Sequence, residues 1–117
     1  MIDEGLRKAV ETLSSEELYR ANIIHLQFAD MHHGYAVIKE EIEECEEALT
    51  TIKTHLDYIW NNVRTDDFQG FRFEARVVKI HAIELALEAI QVAAMAEKFL
   101  DMPESENKKI RNKIKAR

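Results

Sequence analysis

Acidic side chains are concentrated in two parts of the sequence, residues 40–47 and 84–88. In the first part, Glu41 and Glu44 are three residues apart. The second part belongs to a polar series with spacings of three, four and three: His81, Glu84, Glu88 and Gln91. Such spacings place side chains on one face of an α-helix. Because two facing helices can project carboxylate oxygens towards one hard cation, the pattern predicts a divalent-cation site.

A purely structural interpretation is open for both parts. A run of glutamates is usual on the solvated face of a helix. Glu84 or Glu88 could also form an ion pair with a basic residue that precedes them in the sequence: Arg72, Arg76 or Lys79. The cation site therefore depends on whether the two acidic faces meet.

The segments that carry these residues are predicted to be helices. Only three glycines and one proline occur in 117 residues, and there is no Asn-Gly or Asp-Gly hairpin signal. A chain of this length fits one domain, and 46% hydrophobic residues are enough for a core. We expect a single all-α domain over residues 1–117, an antiparallel helical bundle with a short basic C-terminal segment at 104–117.

Local signals set the helix boundaries. Ser14 and Glu17 form a capping-box pattern, which predicts a helix start, with a further short helix before it. Pro103 stops the last helix, because proline clashes with a continuing helical turn. Residues 64–73 contain turn formers and are expected to connect two antiparallel helices. The expected helices span residues 15–30, 35–62 and 74–100.

Apolar residues predict how the two long helices pack. In the first, they alternate steps of four and three: Ile38, Ile42, Cys45, Leu49, Ile52, Leu56, Ile59 and Val63. This period is typical of a seam that packs at a shallow angle against another helix. The second long helix is apolar around more of its surface than one neighbour can cover. We therefore expect a homodimer or homotetramer with a four-helix core.

Charge and composition restrict the partners and the location. The net charge of −6 argues against general binding to nucleic acid, and no stretch is apolar enough to span a membrane. The N-terminus has no secretory pattern, and the lone cysteine, Cys45, cannot form an internal disulfide. These features predict a cytoplasmic protein with neither a membrane partner nor a specific nucleic-acid partner.

The two acidic motifs resemble those of a known family. Residues 40–44, EEIEE, look like the EExxE motif of the MazG-like all-α nucleoside triphosphate pyrophosphohydrolases. The second motif of that family is ExxD, and residues 88–91, EAIQ, resemble it with glutamine in the aspartate position. Residues 88–99 and 33–37 look like a phage or prophage branch of the family. The resemblance covers roughly residues 30–100.

This resemblance implies a reaction, a cofactor and a set of ligands. The implied reaction is hydrolysis of a (deoxy)nucleoside triphosphate to its monophosphate and pyrophosphate, with Mg²⁺ as cofactor and Mn²⁺ as the alternative. The implied metal ligands are Glu41, Glu44, Glu88 and Gln91, and the three glutamates are also the implied catalytic residues. Glu40 and Glu84 are further possible ligands. An amide oxygen binds Mg²⁺ without supplying charge, and Glu84 could supply the charge that Gln91 lacks.

Four further residues are candidates for contact with the nucleotide: His33, Trp60, Lys108 and Arg111. His33 precedes the long acidic helix, and Trp60 could stack on a base. The two basic residues could reach the triphosphate. Each also has an ordinary explanation, as a surface histidine, a core aromatic residue or a solvated basic terminus.

Two other classes of function compete with the hydrolase. One is a non-catalytic helical module that binds a nucleotide or a protein after losing the acidic residue at position 91. The other is a purely structural assembly module. Pyrophosphate release in the presence of metal favours the hydrolase, whereas nucleotide binding without release favours the first alternative.

Gln91→Asp is the substitution that tests this departure from the family motif. The added carboxylate is expected to tighten Mg²⁺ binding and to raise pyrophosphate release, while Glu88→Gln is expected to abolish both. Thermal stability and turnover, each measured with and without Mg²⁺, check the prediction. Loss of stability in the metal-free variant would instead indicate a site adapted to the amide, with Glu84 as the extra charge. No change in either quantity would place Gln91 outside the site.

Overall fold

The computed structural model describes residues 3–24 and 27–104, which form three α-helices and no strand. Helix α1 spans Glu4–Ile24, α2 spans Met31–Arg64 and α3 spans Phe68–Leu100. The prediction of an all-α chain with two long helices is confirmed for these residues. The basic C-terminal segment lies outside them from residue 105 onwards. Within the described ranges, no helix has the length and apolar character needed to cross a membrane.

Helix α1 is continuous where two helices were expected. The capping-box prediction at Ser14 is wrong, because Ser14 lies in the middle of α1. The helix is capped by Asp3, whose Oδ1 accepts a hydrogen bond of 2.8 Å from the backbone N–H of Leu6. The hydroxyl of Ser15 donates to the carbonyl oxygen of Glu11 at 3.1 Å, so this serine is accommodated inside the helix. The two serines therefore do not interrupt α1.

Helix α2 begins at Met31, earlier than the predicted residue 35. Asp30 caps it, since its Oδ1 accepts a 2.8 Å hydrogen bond from the backbone N–H of His33. The His33 Nδ1 in turn accepts a 3.0 Å hydrogen bond from the backbone N–H of Ala29. These two bonds fix the turn that leads into α2.

Gly34 lies inside the first turns of α2 and does not break the helix. It is buried, and a Cβ atom at this position would lie 2.7 Å from the ring of Phe99 and 3.0 Å from that of Phe28. Both distances are shorter than an ordinary van der Waals contact between two carbon atoms. Glycine is therefore required here by the close approach of two aromatic rings, and not by a turn.

The connection between α2 and α3 is only residues 65–67, shorter than the predicted 64–73. The backbone N–H of Asp67 donates to Asn62 O at 2.9 Å and that of Asp66 to Val63 O at 3.4 Å. Asp66 has a φ of 52°, so the end of α2 is a Schellman motif with aspartate in the left-handed position. The Oδ1 of Asp67 then accepts a 2.9 Å hydrogen bond from the Gly70 N–H and caps α3.

The described residues group into two compact units. The first contains the residues up to Glu41 and those from Ile90 onwards, and the second is Ile42–Ala89. The division falls inside α2 and inside α3, so both helices run through both units. Among the described residues of the first unit, only Phe28, Gly34, Ala94 and Lys98 are buried. In the second unit, Ala48 is the one buried residue.

The second unit is an antiparallel hairpin of two helices, and its inner face on α2 is mostly polar. That face contains residues at helical spacing: Glu44, Ala48, Thr51 and His55. The expected apolar seam is a different face of α2. None of its eight residues is buried, and Leu56 is 59% exposed. The seam is therefore covered only in part: four of its residues are half-buried and four are exposed.

Lys98 is a charged residue in the interior of the first unit. It is 4% exposed, and its Nζ lies 5.1 Å from the centre of the Phe28 ring. Burial lowers the pKa of Lys98 below its usual 10.5, because removal from water disfavours the ammonium form. The folded chain therefore binds this proton less tightly than the unfolded chain does.

We expect Lys98→Met to raise the free energy of unfolding at pH 7, where the buried ammonium is destabilising. The gain should shrink above the lowered pKa of Lys98 and disappear above 10.5, because the folded wild type loses its proton before the unfolded chain does. Denaturant unfolding at pH 7 and pH 10 checks this. The exposed Lys79→Met is the matched control and should show no such pH dependence. An equal gain for Lys98→Met at both pH values would contradict the argument.

Candidate functional site

Three glutamates predicted as metal ligands come together in the structure. Glu44 of α2 and Glu88 of α3 belong to the second unit, and Glu41 precedes Glu44 by one turn of α2. One carboxylate oxygen from each lies within 4.8 Å of the other two. The three residues are half-buried, and one oxygen each of Glu41 and Glu88 is fully shielded from solvent.

The spacing and the donor type of this cluster fit a hard divalent cation. Oxygen ligands bind Mg²⁺ at about 2.1 Å, so two ligands on opposite sides are about 4.2 Å apart, and about 5 Å apart for Ca²⁺. The separations in the cluster are within reach of these values after small side-chain rotations. Carboxylates this close repel one another, and a bound cation removes that repulsion. An all-oxygen set favours Mg²⁺, Mn²⁺ or Ca²⁺ over Zn²⁺ or Cu²⁺.

A polar cavity of about 430 Å³ opens beside Glu44 and Glu88 within the second unit. It is lined by Glu44, Glu47, Ala48, Thr51, His81, Glu84 and Glu88. The lining contains four carboxylates and neither a lysine nor an arginine. A phosphate group would be repelled by this surface unless a cation lay between them.

Two histidines order the side chains around this cavity. The Nδ1 of His81 lies 3.3 Å from the Oε2 of Glu84, and the Nδ1 of His55 is bonded to the carboxylate of Glu74. The two imidazole rings stack, with their centres 6.3 Å apart and their planes at 13°. The ring of Tyr58 meets His55 edge-on. A carboxylate on Nδ1 holds an imidazole in one orientation, so each histidine is positioned by its partner.

The other predicted site residues are not among those that line the cavity. Gln91 is half-buried on α3, one turn after Glu88, and Glu40 is exposed on α2. Trp60 is 60% exposed, and His33 holds the turn before α2. The roles assigned to these residues stay predictions. Two further candidates, Lys108 and Arg111, lie outside the described residues.

Several residues around the cavity were not selected from the sequence. They are Glu47, Thr51, His55 and Glu74. Glu47 and Thr51 lie three and seven residues after Glu44, so helical spacing from Glu44 could have identified them. The contact of His55 with Glu74 joins residues 19 positions apart on different helices, and no local pattern predicts it.

Comparison with known proteins gives no relative: no family model, no curated protein and no solved structure matches this chain. The resemblance to MazG-like enzymes therefore stays a prediction from the two sequence motifs. The geometry of Glu41, Glu44 and Glu88 agrees with those motifs and is independent of any alignment.

We expect Mn²⁺ and Mg²⁺ to raise the melting temperature of the wild-type protein, because a cation that binds only the folded chain stabilises it. Glu44→Gln and Glu88→Gln should weaken the metal dependence, since each removes one charged ligand. The melting temperature of each protein, measured over a range of metal concentrations, gives this metal dependence. Glu46→Gln makes the same change at an exposed position of α2 and is the matched control. If the metal raises the melting temperature of all four proteins equally, these glutamates do not form a cation site.

Proposed function

We propose that this chain is a Mg²⁺-dependent hydrolase that converts (deoxy)nucleoside triphosphates to monophosphates and pyrophosphate. The observation that supports the proposal most is the approach of Glu41, Glu44 and Glu88 to within 4.8 Å. These are three of the four metal ligands that the motif resemblance implies. A second supporting observation is the carboxylate-lined cavity beside them, which suits a polyanion only when it carries a cation.

The cluster and the cavity suggest a division of work among the side chains. Glu41, Glu44 and Glu88 would hold the cation. A Mg²⁺ ion held there would neutralise phosphate oxygens and would make water a better nucleophile. Glu47 and Glu84, which line the cavity, would repel triphosphate that carries no metal. The substrate would therefore be the metal complex of the nucleotide.

His81 and Glu84 would contribute orientation rather than metal binding. The His81 Nδ1 faces the carboxylate of Glu84, which favours the tautomer with its proton on Nδ1. In that form the other ring nitrogen, Nε2, is a hydrogen-bond acceptor. An acceptor on the wall of this cavity could hold a water molecule or a hydroxyl group of the substrate.

The main rival is a helical module that binds a nucleotide or a protein without catalysis. It is favoured by Gln91, which stands where the family motif has an aspartate. A module of this kind would keep the cation site and the cavity but would not release pyrophosphate. The two functions therefore differ in turnover and not in metal binding.

We also propose that the protein self-associates and works in the cytoplasm. The support for self-association is the apolar surface of α3, where Ile80, Ile83 and Leu87 are between 53% and 62% exposed. A second copy that packed on these residues would complete a four-helix core. The molar mass in solution, measured by light scattering, tests this part of the proposal.

Pyrophosphate release from each natural ribo- and deoxyribonucleoside triphosphate, with Mg²⁺ or Mn²⁺, tests the activity. The wild type is expected to hydrolyse at least one of them, Glu88→Gln to lose at least 100-fold in rate, and the control Glu46→Gln to keep the wild-type rate. Nucleotide binding without release would select the non-catalytic module. No binding and no release would overturn both hypotheses.

A further inference from the structure

One side of α2 carries an exposed apolar row at intervals of seven residues. It consists of Ile42, Leu49, Leu56 and Val63, which are 42%, 41%, 59% and 48% exposed. Between them lies a second, half-buried row of the seam: Ile38, Cys45, Ile52 and Ile59. The face of α2 that contacts α3 is a different one, which contains Ala48 and His55. A heptad seam of this length is a helix-pairing surface, and the described residues leave it largely uncovered.

We propose that this seam binds the same seam of a second copy of the chain, with the two α2 helices antiparallel. The twofold axis lies midway along the seam, at the level of Leu49 and Ile52. The proposal rests on the self-association proposed above and does not depend on hydrolysis.

The positions of the apolar residues favour this register. With the axis between residues 50 and 51, the facing pairs are Ile38 with Val63, Ile42 with Ile59, Cys45 with Leu56 and Leu49 with Ile52. The residue numbers in each pair add up to 101, so every member of the seam meets another member and none is left over. A twofold interface requires this kind of self-complementarity, because the same surface serves both subunits.

The charges beside the exposed row favour the same register. That flank carries Lys39, Glu46, Lys53 and Trp60, again at intervals of seven. Glu46 and Lys53 are exposed. In an antiparallel pair, this flank faces the same flank of the other helix. Glu46 and the partner subunit's Lys53 then lie on facing flanks, offset along the helices by about two residues from direct opposition, which is within reach of their long side chains, and symmetry repeats the pair.

Alternative registers are disfavoured by like charges. Sliding one helix by seven residues in one direction puts Glu46 opposite the partner's Glu46. Sliding it in the other direction puts Lys53 opposite the partner's Lys53. Flanking charges of this kind set partner orientation and register in helix pairs. The proposed register is therefore the one in which apolar contacts and charges agree.

Light scattering and sedimentation equilibrium on the full chain test the interface. Leu49→Glu places a carboxylate in the central apolar layer, and we expect it to weaken the assembly at least 100-fold, so that its mass falls at micromolar concentration. Thr50→Glu adds the same charge at the neighbouring exposed position and should leave the mass unchanged. Circular dichroism establishes that both variants remain helical.

Exchange of the flanking charges tests the register without changing the apolar layers. Glu46→Lys and Lys53→Glu should each raise the dissociation constant roughly tenfold, because each variant opposes like charges twice. The double variant restores opposite charges and should return close to the wild-type value. Failure of the double variant to recover would overturn the register.

The outcomes of these experiments distinguish the α2 interface from self-association in general. A monomeric wild type would overturn self-association and this interface together. An assembly that withstands Leu49→Glu would overturn only the α2 interface and leave the surface of α3 as the one that associates. Neither result bears on pyrophosphate release, which is measured separately.

Discussion

The polar contact between α2 and α3 is the constraint on which the second unit depends. Glu44, Thr51 and His55 occupy positions on α2 where a helical hairpin ordinarily has aliphatic side chains. Half-buried carboxylates and imidazoles are stable there only with hydrogen bonds, opposite charges or a cation. The pairs of His55 with Glu74 and of His81 with Glu84 meet part of this requirement. In the hairpin, polar contacts therefore take the place of part of an apolar core.

A second consequence concerns the apolar side chains. Polar side chains of α2 lie at the contact with α3, and one of the two apolar rows of the heptad seam is left exposed. Ala48 is the one buried residue among those of the second unit, so the hairpin has no large, fully buried apolar side chain. A cation bound by the glutamates would stabilise α2 by reducing charge repulsion. An apolar partner on the seam would stabilise the same helix by hydrophobic burial.

The parts of this structure that the sequence predicts are those encoded in short spacings. Steps of three and four indicate two acidic faces, and the motif resemblance implies Glu41, Glu44 and Glu88 as ligands on them. The structure places these three glutamates together. The helix start was misplaced at Ser14 because a capping box is a local preference that good helix formers on both sides override. The contact of His55 with Glu74 depends on how two helices align, which no short pattern encodes. The same reason left the direction of the heptad seam undetermined, since its period does not tell which neighbour covers it.

The close approach of Gly34 to the rings of Phe28 and Phe99 has a consequence for sequence variation in homologous chains. The space that a methyl group at position 34 would need is already filled by aromatic carbon, so the two sites share one volume. A homologue with alanine or a larger residue at position 34 should therefore carry a smaller side chain at position 99 or position 28. Substitutions at these three positions are therefore expected to covary among homologues.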